Sequence, residues 1–262
     1  MLTTLLLPTA GKGKVLGHDI VSEASEIRKK IGLCIGGTHF YHAMKPKEIL
    51  TFYGMMQGIP KNRREAKIEE LIRDLKMKSF LGKQFTELST GMKQKIAIAK
   101  ALINDPEVLF LDEPTNGLDV EIAFDIRNYI REVVSKSGTT VLLTSHHLYE
   151  VEDMCKRISI INHGKIVAEG SIGDVRKEVD MPDVARIVLD DYMGIEFIGN
   201  MEFVHDYYLN ENGLFVKLGK GPSSIIELIK ALRANKKEIL DIELRKASLE
   251  EVFMKIVGGH DA

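Results

Sequence analysis

Two acids in succession, Asp112 and Glu113, follow directly on an uninterrupted apolar run at 108–111. Such a run reads as a parallel strand buried on both faces, so the acids emerge at its carboxyl end, where open α/β sheets place ligands. One carboxylate there can hold a divalent cation, and its neighbour can orient or deprotonate a water. Pro114 ends the strand because it has no N–H for a ladder. Upstream, Ser89-Thr90-Gly91 stands at the start of a helical pattern, with Met92, Ile96, Ala99 and Ile103 along one face. Ser89 suits an N-cap, and the free N–H groups of a helix N-terminus suit a phosphate. Gly91 lets the backbone approach closely. Residues 88–119 therefore line up a phosphate grip, a core strand, a metal-binding carboxylate and a candidate base. A second apolar strand, 139–144, reads as buried and leads into Ser145 and His146, which makes His146 a candidate partner for the two acids. Asp119 suits the cap of a further helix whose apolar face is Ile122, Ile126, Ile130 and Val133.

These residues resemble the motifs of ABC transporter nucleotide-binding domains. LSTGM at 88–92 is similar to the family's LSGGQ signature, and VLFLDEP at 108–114 to Walker B plus the catalytic glutamate. TNGLD at 115–119 resembles the D-loop and TSH at 144–146 the switch histidine. Four motifs in family order and spacing are far more specific than any one of them. The resemblance implies an α/β fold with a P-loop NTPase-type, mostly parallel sheet. It implies an ATP-binding domain over 1–178, with a helical subdomain at about 45–104, and a small α+β C-terminal extension over 183–262. That extension is similar to those of ABC-2 type exporters, including the closing pattern ASLEEVFMKIVG at 247–258. The implied cofactors are ATP and Mg²⁺. The implied roles are Asp112 on the metal, Glu113 and His146 in hydrolysis, and Ser89, Thr90, Gly91 and Asp119 on nucleotide. The implied partners are a transmembrane permease subunit and a second ATP-binding domain, with the chain peripheral on the cytoplasmic face of the membrane.

Departures from the family pattern cluster near the start. The phosphate-binding loop GxxGxGK[ST] is expected just before a segment like LTTLLLPTAGK, which in the family ends the helix after that loop. Residues 1–262 contain no such loop, and GKGK at 11–14 lacks the Ser or Thr and the preceding strand. The sequence thus reads as an ATP-binding domain truncated at its N-terminus. Gly36 stands where the family has the Q-loop glutamine, and Gly36-Gly37 reads equally well as a turn. Two further functions are compatible with these departures. One is a catalytically silent subunit that lends its signature motif to a partner's ATP; the other is a soluble ABC ATPase in translation or DNA repair.

The elements that position these residues fit one large domain plus an appendage. The chain has 262 residues, 44% hydrophobic and 28% charged, enough for a sizeable core. Its formal net charge of -2 gives no electrostatic reason to expect nucleic acid. Cys34 and Cys155 have no metal-ligand spacing and read as reduced thiols. No apolar run approaches the ~20 residues that span a bilayer, and Pro8 ends the first one too early for a signal peptide. Pro46 opens a helix with an apolar stripe, a second helix spans roughly 62–77, and 157–168 reads as a hairpin turning at His163-Gly164. Residues 170–182 read as a polar linker. Beyond it come strands near 184–189, 203–209, 214–218 and 239–244, with helices near 223–233 and 248–257 and no catalytic constellation, so packing or regulation is the expected role.

Overall fold

The computed structural model describes residues 1–36, 40–179, 181–219 and 222–258. The chain divides into two compact units, Met1–His146 and His147–Ala262. The first opens with a small hairpin, β1 (Lys14–Val15) and β2 (His18–Asp19). Its two turn residues, Leu16 and Gly17, both have positive φ, +53° and +83°, the turn hand that matches strand twist. Helix α1 (Ala24–Lys30) runs into β3 (Ile31–Cys34). Next come α2 (Pro46–Met56) and α3 (Lys61–Asp74), each burying one stripe of aliphatic side chains. Pro46 occupies the first turn of α2, and the Lys45 N–H donates to Glu48 Oε2 at 2.8 Å. Helix α4 (Thr90–Ala101), β4 (Val108–Asp112), α5 (Val120–Ser137) and β5 (Thr140–Thr144) complete the unit.

Strands β3, β4 and β5 form a parallel sheet in that order, with Cys34 opposite Leu111 and Asp112 opposite Thr144. Leu109, Phe110 and Leu111 are all buried, as the apolar run requires. The sheet packs close to α4: a Cβ added to Gly32 would lie 2.0 Å from the Ala101 carbonyl oxygen, so only glycine fits there. Strand β5 departs from expectation. Its residues alternate between exposed and half-buried, and Leu142 is 49% exposed. In the sheet order β5 is paired with β4, and the apolar run of β5 alone does not say that the face carrying Leu142 stays open. Residues 1–13 also differ, forming turns and bends instead of a helix end, with Leu5, Leu6 and Leu7 exposed. A short apolar run closed by Pro8 cannot sustain a helix without packing against something.

The second unit begins with α6 (Leu148–Met154), followed by the hairpin β6 (Arg157–Asn162) and β7 (Lys165–Ser171). His163 and Gly164 make its turn, both at positive φ. Helix α7 (Ile172–Glu178) occupies most of the stretch expected to be a linker. Ser171 caps it by accepting from Asp174 N at 3.1 Å, and Val175 is fully buried, so this polar stretch is tied into a core. A four-stranded antiparallel sheet follows, from β8 (Asp183–Leu189), β9 (Val204–Asn210), β10 (Gly213–Leu218) and β11 (Ile239–Arg245), in the order β11-β8-β10-β9. Helix α8 (Pro222–Ala234) covers one face through Leu228 and Leu232. Helix α9 (Leu249–Gly258) joins a separate core with Ile158, Ile160, Ala168 and Val175.

Candidate functional site

Asp112 is the last residue of β4, and its side chain is exposed at the carboxyl end of the sheet. The in-register neighbour Thr144 donates its hydroxyl to Asp112 Oδ1 at 2.6 Å. Thr144 also receives the Glu113 N–H, on its carbonyl oxygen at 3.1 Å and on Oγ1 at 3.3 Å. One threonine thus fixes the carboxylate of the first acid and the backbone of the second. Sequence reading passed over it; the available signal was a polar residue ending an apolar strand beside the acids.

Glu113 leaves the strand with φ at +50°. An L-residue with a long side chain pays about 1–2 kcal/mol for that conformation. The bend carries its carboxylate to His146, whose Nδ1 lies 2.8 Å from Oε1 and from Oε2. Only Oε1 has hydrogen-bond geometry; Oε2 is shielded from solvent with no hydrogen bond to it. His146 is more open, its side chain 57% exposed against 28% for Glu113. The arrangement is a shielded carboxylate oxygen, held by an imidazole and set beside an exposed second carboxylate. It can orient a polar hydrogen-bearing molecule such as water at Glu113 while Asp112 faces a cation.

Among the described residues, no group of three or more His, Cys, Asp or Glu side chains is arranged to hold a metal ion. A single exposed carboxylate still fits Mg²⁺, which keeps several of its waters and takes one or two protein carboxylates beside substrate phosphates.

The other candidate residues sit at the start of two helices. Ser89 caps α4, accepting from Met92 N at 3.3 Å, and Ser89 and Thr90 are both exposed. Asp119 caps α5, accepting from Ile122 N at 2.9 Å. Gly91 links the two: a Cβ there would lie 2.4 Å from Ile122 Cδ1. The glycine is therefore required by packing of α4 on the first turn of α5, whatever else its backbone does. The link brings the first turns of α4 and α5 together.

Gly36 follows β3 in a turn, and a Cβ on it would lie 3.6 Å from the Asp112 carbonyl oxygen; Gly37 lies outside the described residues. The neighbouring Cys34 is buried and accepts from Gln94 Nε2 at 3.6 Å, and burial pushes its thiol up to about 11. It is accordingly unreactive. Lys100, also shielded, sits 5.6 Å over the Tyr53 ring, and burial lowers its pKa.

A parallel sheet ending in paired acids, with a capped helix feeding its central strand, defines an α/β fold of the P-loop NTPase type. Comparisons with known proteins agree. A solved structure described as the ATP-binding subunit of an ABC transporter matches with a TM-score of 0.61, over 68% of this chain and 73% of that one, at 24% identity. The ABC transporter family profile matches residues 1–116. ABC transporter ATP-binding protein NatA of Bacillus subtilis (strain 168) is 34% identical over 190 residues, 72% of this chain and 77% of that protein. Nod factor export ATP-binding protein I of Rhizobium etli is 29% identical over 98% of this chain and 79% of its own length. The chain belongs to the ABC transporter ATP-binding proteins, a family of ATP hydrolases. No helix among the described residues is long and apolar enough to cross a membrane.

Proposed function

We propose that this chain is the ATP-hydrolysing subunit of an ABC export system, driving a separate membrane permease. The observation that carries the reading is the cluster Asp112–Thr144–Glu113–His146 at the end of the parallel sheet. Support for export comes from the likeness, along nearly the whole chain, to a relative named for export.

In this reading Asp112 holds Mg²⁺ through water, and the bound ion would supply charge neutralisation at the phosphates. Glu113 orients the attacking water and takes up its proton. His146 fixes the glutamate through Nδ1 and holds it in register with the γ-phosphate. Ser89, Thr90 and Gly91 present helix N–H groups to nucleotide seated on a second ATP-binding domain, with Asp119 beside them at the same surface. Such catalysis consists of positioning and charge stabilisation.

Asp112 and Glu113 supply the metal and water side of the chemistry, and a phosphate-binding loop would supply the grip on the nucleotide. Hydrogen bonds to charged groups contribute about 1.5–3 kcal/mol each, so four fewer would weaken cis binding by several orders of magnitude. Preceding residues 1–262 with an in-frame phosphate loop should give tight binding.

The deciding experiment measures phosphate release by the assembled transporter carrying Glu113→Gln or His146→Ala. Loss of hydrolysis with nucleotide binding retained is expected. Full activity in Glu113→Gln would remove this function from the cluster.

A further inference from the structure

Strands β4 and β5 run parallel and set Asp112 opposite Thr144, so their side chains leave the same face of the sheet as cross-strand neighbours. Both residues are exposed there. Thr144 Oγ1 makes two hydrogen bonds at this point, and the chemistry of the partners fixes the direction of each. The Glu113 N–H, at 3.3 Å, can only donate, so it takes a lone pair of Oγ1. An ionised Asp112 can only accept, so the hydroxyl hydrogen goes to its Oδ1, at 2.6 Å.

A hydroxyl meets both needs with one atom. Valine has the same shape and offers neither bond, while an acid in this place would lack the donor and add like charge. Serine keeps both bonds but loses the β-branch that restricts χ1 and thereby aims the hydroxyl. The consequence falls on Asp112. Its bond from Thr144 is short and charge-assisted, and bonds of that kind are the stronger ones. Among the described residues the Asp112 side chain makes no other hydrogen bond or ion pair, so Oδ2 is the oxygen left wholly free for a cation.

We infer that Thr144 is a positioning residue for the metal, its hydroxyl turning the Asp112 carboxylate so that Oδ2 is the oxygen presented to the cation. The inference rests on the proposed role of Asp112 and deepens it, by assigning the oxygen and the group that aims it. Loss of a hydrogen-bond partner behind a metal-binding side chain typically weakens metal binding by about 10–100-fold.

The test uses the ATP-loaded transporter assembled with its permease, with Glu113→Gln to stop turnover and Mn²⁺ in place of Mg²⁺. The rate at which EDTA removes the bound Mn²⁺ is followed by EPR. Added to that background, Thr144→Val should speed release about tenfold, Asp112→Ala at least as much, and Thr144→Ser by no more than about threefold. ATP binding measured without metal should be the same in all of them, which a merely structural defect would not allow.

Unchanged release in Thr144→Val, with faster release in Asp112→Ala, overturns the inference alone. Unchanged release in both removes the cation from Asp112, and the reading of that residue falls together with the inference. Metal-free ATP binding weakened in step with faster release would make Thr144 a structural residue and overturn the inference as well. Thr144→Ala, which also lacks the hydroxyl, carries the test should Thr144→Val fail to assemble.

Discussion

The start of α4 and the end of β4 are separated by one helix and a short connection, yet they are built on opposite terms. Around Ser89–Gly91 three of the candidate residues have a local structural reason. Ser89 caps its helix, Gly91 makes room for Ile122, and Asp119 caps the next helix. At Asp112–Glu113 the local reasons run out. Glu113 holds a costly backbone conformation, and one of its oxygens is shielded with no hydrogen bond. Capping and packing select serine, glycine and aspartate whether or not a nucleotide ever arrives. Strain and an unsatisfied carboxylate bring no stability, so they point to chemistry far more directly.

Substitutions can break that contrast. The largest effect is expected at Glu113. Glu113→Gln should reduce hydrolysis by ~10²–10⁴-fold while leaving stability near wild type. Glu113→Gly should be as inactive, yet more stable by roughly 1 kcal/mol in urea unfolding, because glycine accepts positive φ freely. A destabilised glycine variant would mean that the bend is not strained.

Gly91→Ala comes next. Contact with Ile122 should cost about 1–3 kcal/mol, measured by urea unfolding, and adding Ile122→Ala should recover most of it. If hydrolysis returns with stability, Gly91 serves packing alone. If stability returns and hydrolysis does not, its backbone has a second duty. Ser89→Ala and Asp119→Ala should each cost about 1 kcal/mol as lost caps. Loss of hydrolysis beyond what equal destabilisation elsewhere produces would mark a nucleotide contact.

The smallest effect concerns Asp105, on the connection between α4 and β4. Burial pushes its carboxyl up, but Lys67 and Arg63, at 2.7 and 3.0 Å, together hold it below the ordinary 3.8. A depressed carboxylate adds stability above its unfolded pKa and loses it as pH falls through its folded one. The stability gap between wild type and Asp105→Asn should thus be full at neutral pH and shrink below 3.8. A gap that does not change with pH would assign Asp105 a purely steric role at its positive φ.

Much of this was legible in sequence, for identifiable reasons. The apolar run before Asp112, Pro46 at a helix start and the caps at Ser89 and Asp119 are local signals, and the structure places each as expected. What covers each face of a strand is not local, so the exposure of β5 was invisible in a run as apolar as Val141–Leu143. Two parts of the candidate site were equally hidden. The Thr144 bridge depends on register between strands, and the turn of Glu113 toward His146 depends on a backbone angle that glutamate rarely adopts. Helix α7 escaped because a polar seven-residue stretch resembles a linker until the burial of Val175 is seen.

The core shared by 158–175 and 247–252 also constrains how the protein is made. Its first half leaves the ribosome well before its second, with the whole four-stranded sheet synthesised in between. At about 5–20 residues per second that interval lasts on the order of 3–14 seconds. During it the nascent chain exposes Ile158, Ile160 and Val175 with nothing from α9 to cover them, a window in which a chaperone, or a premature stop just before residue 247, would decide the fate of the molecule.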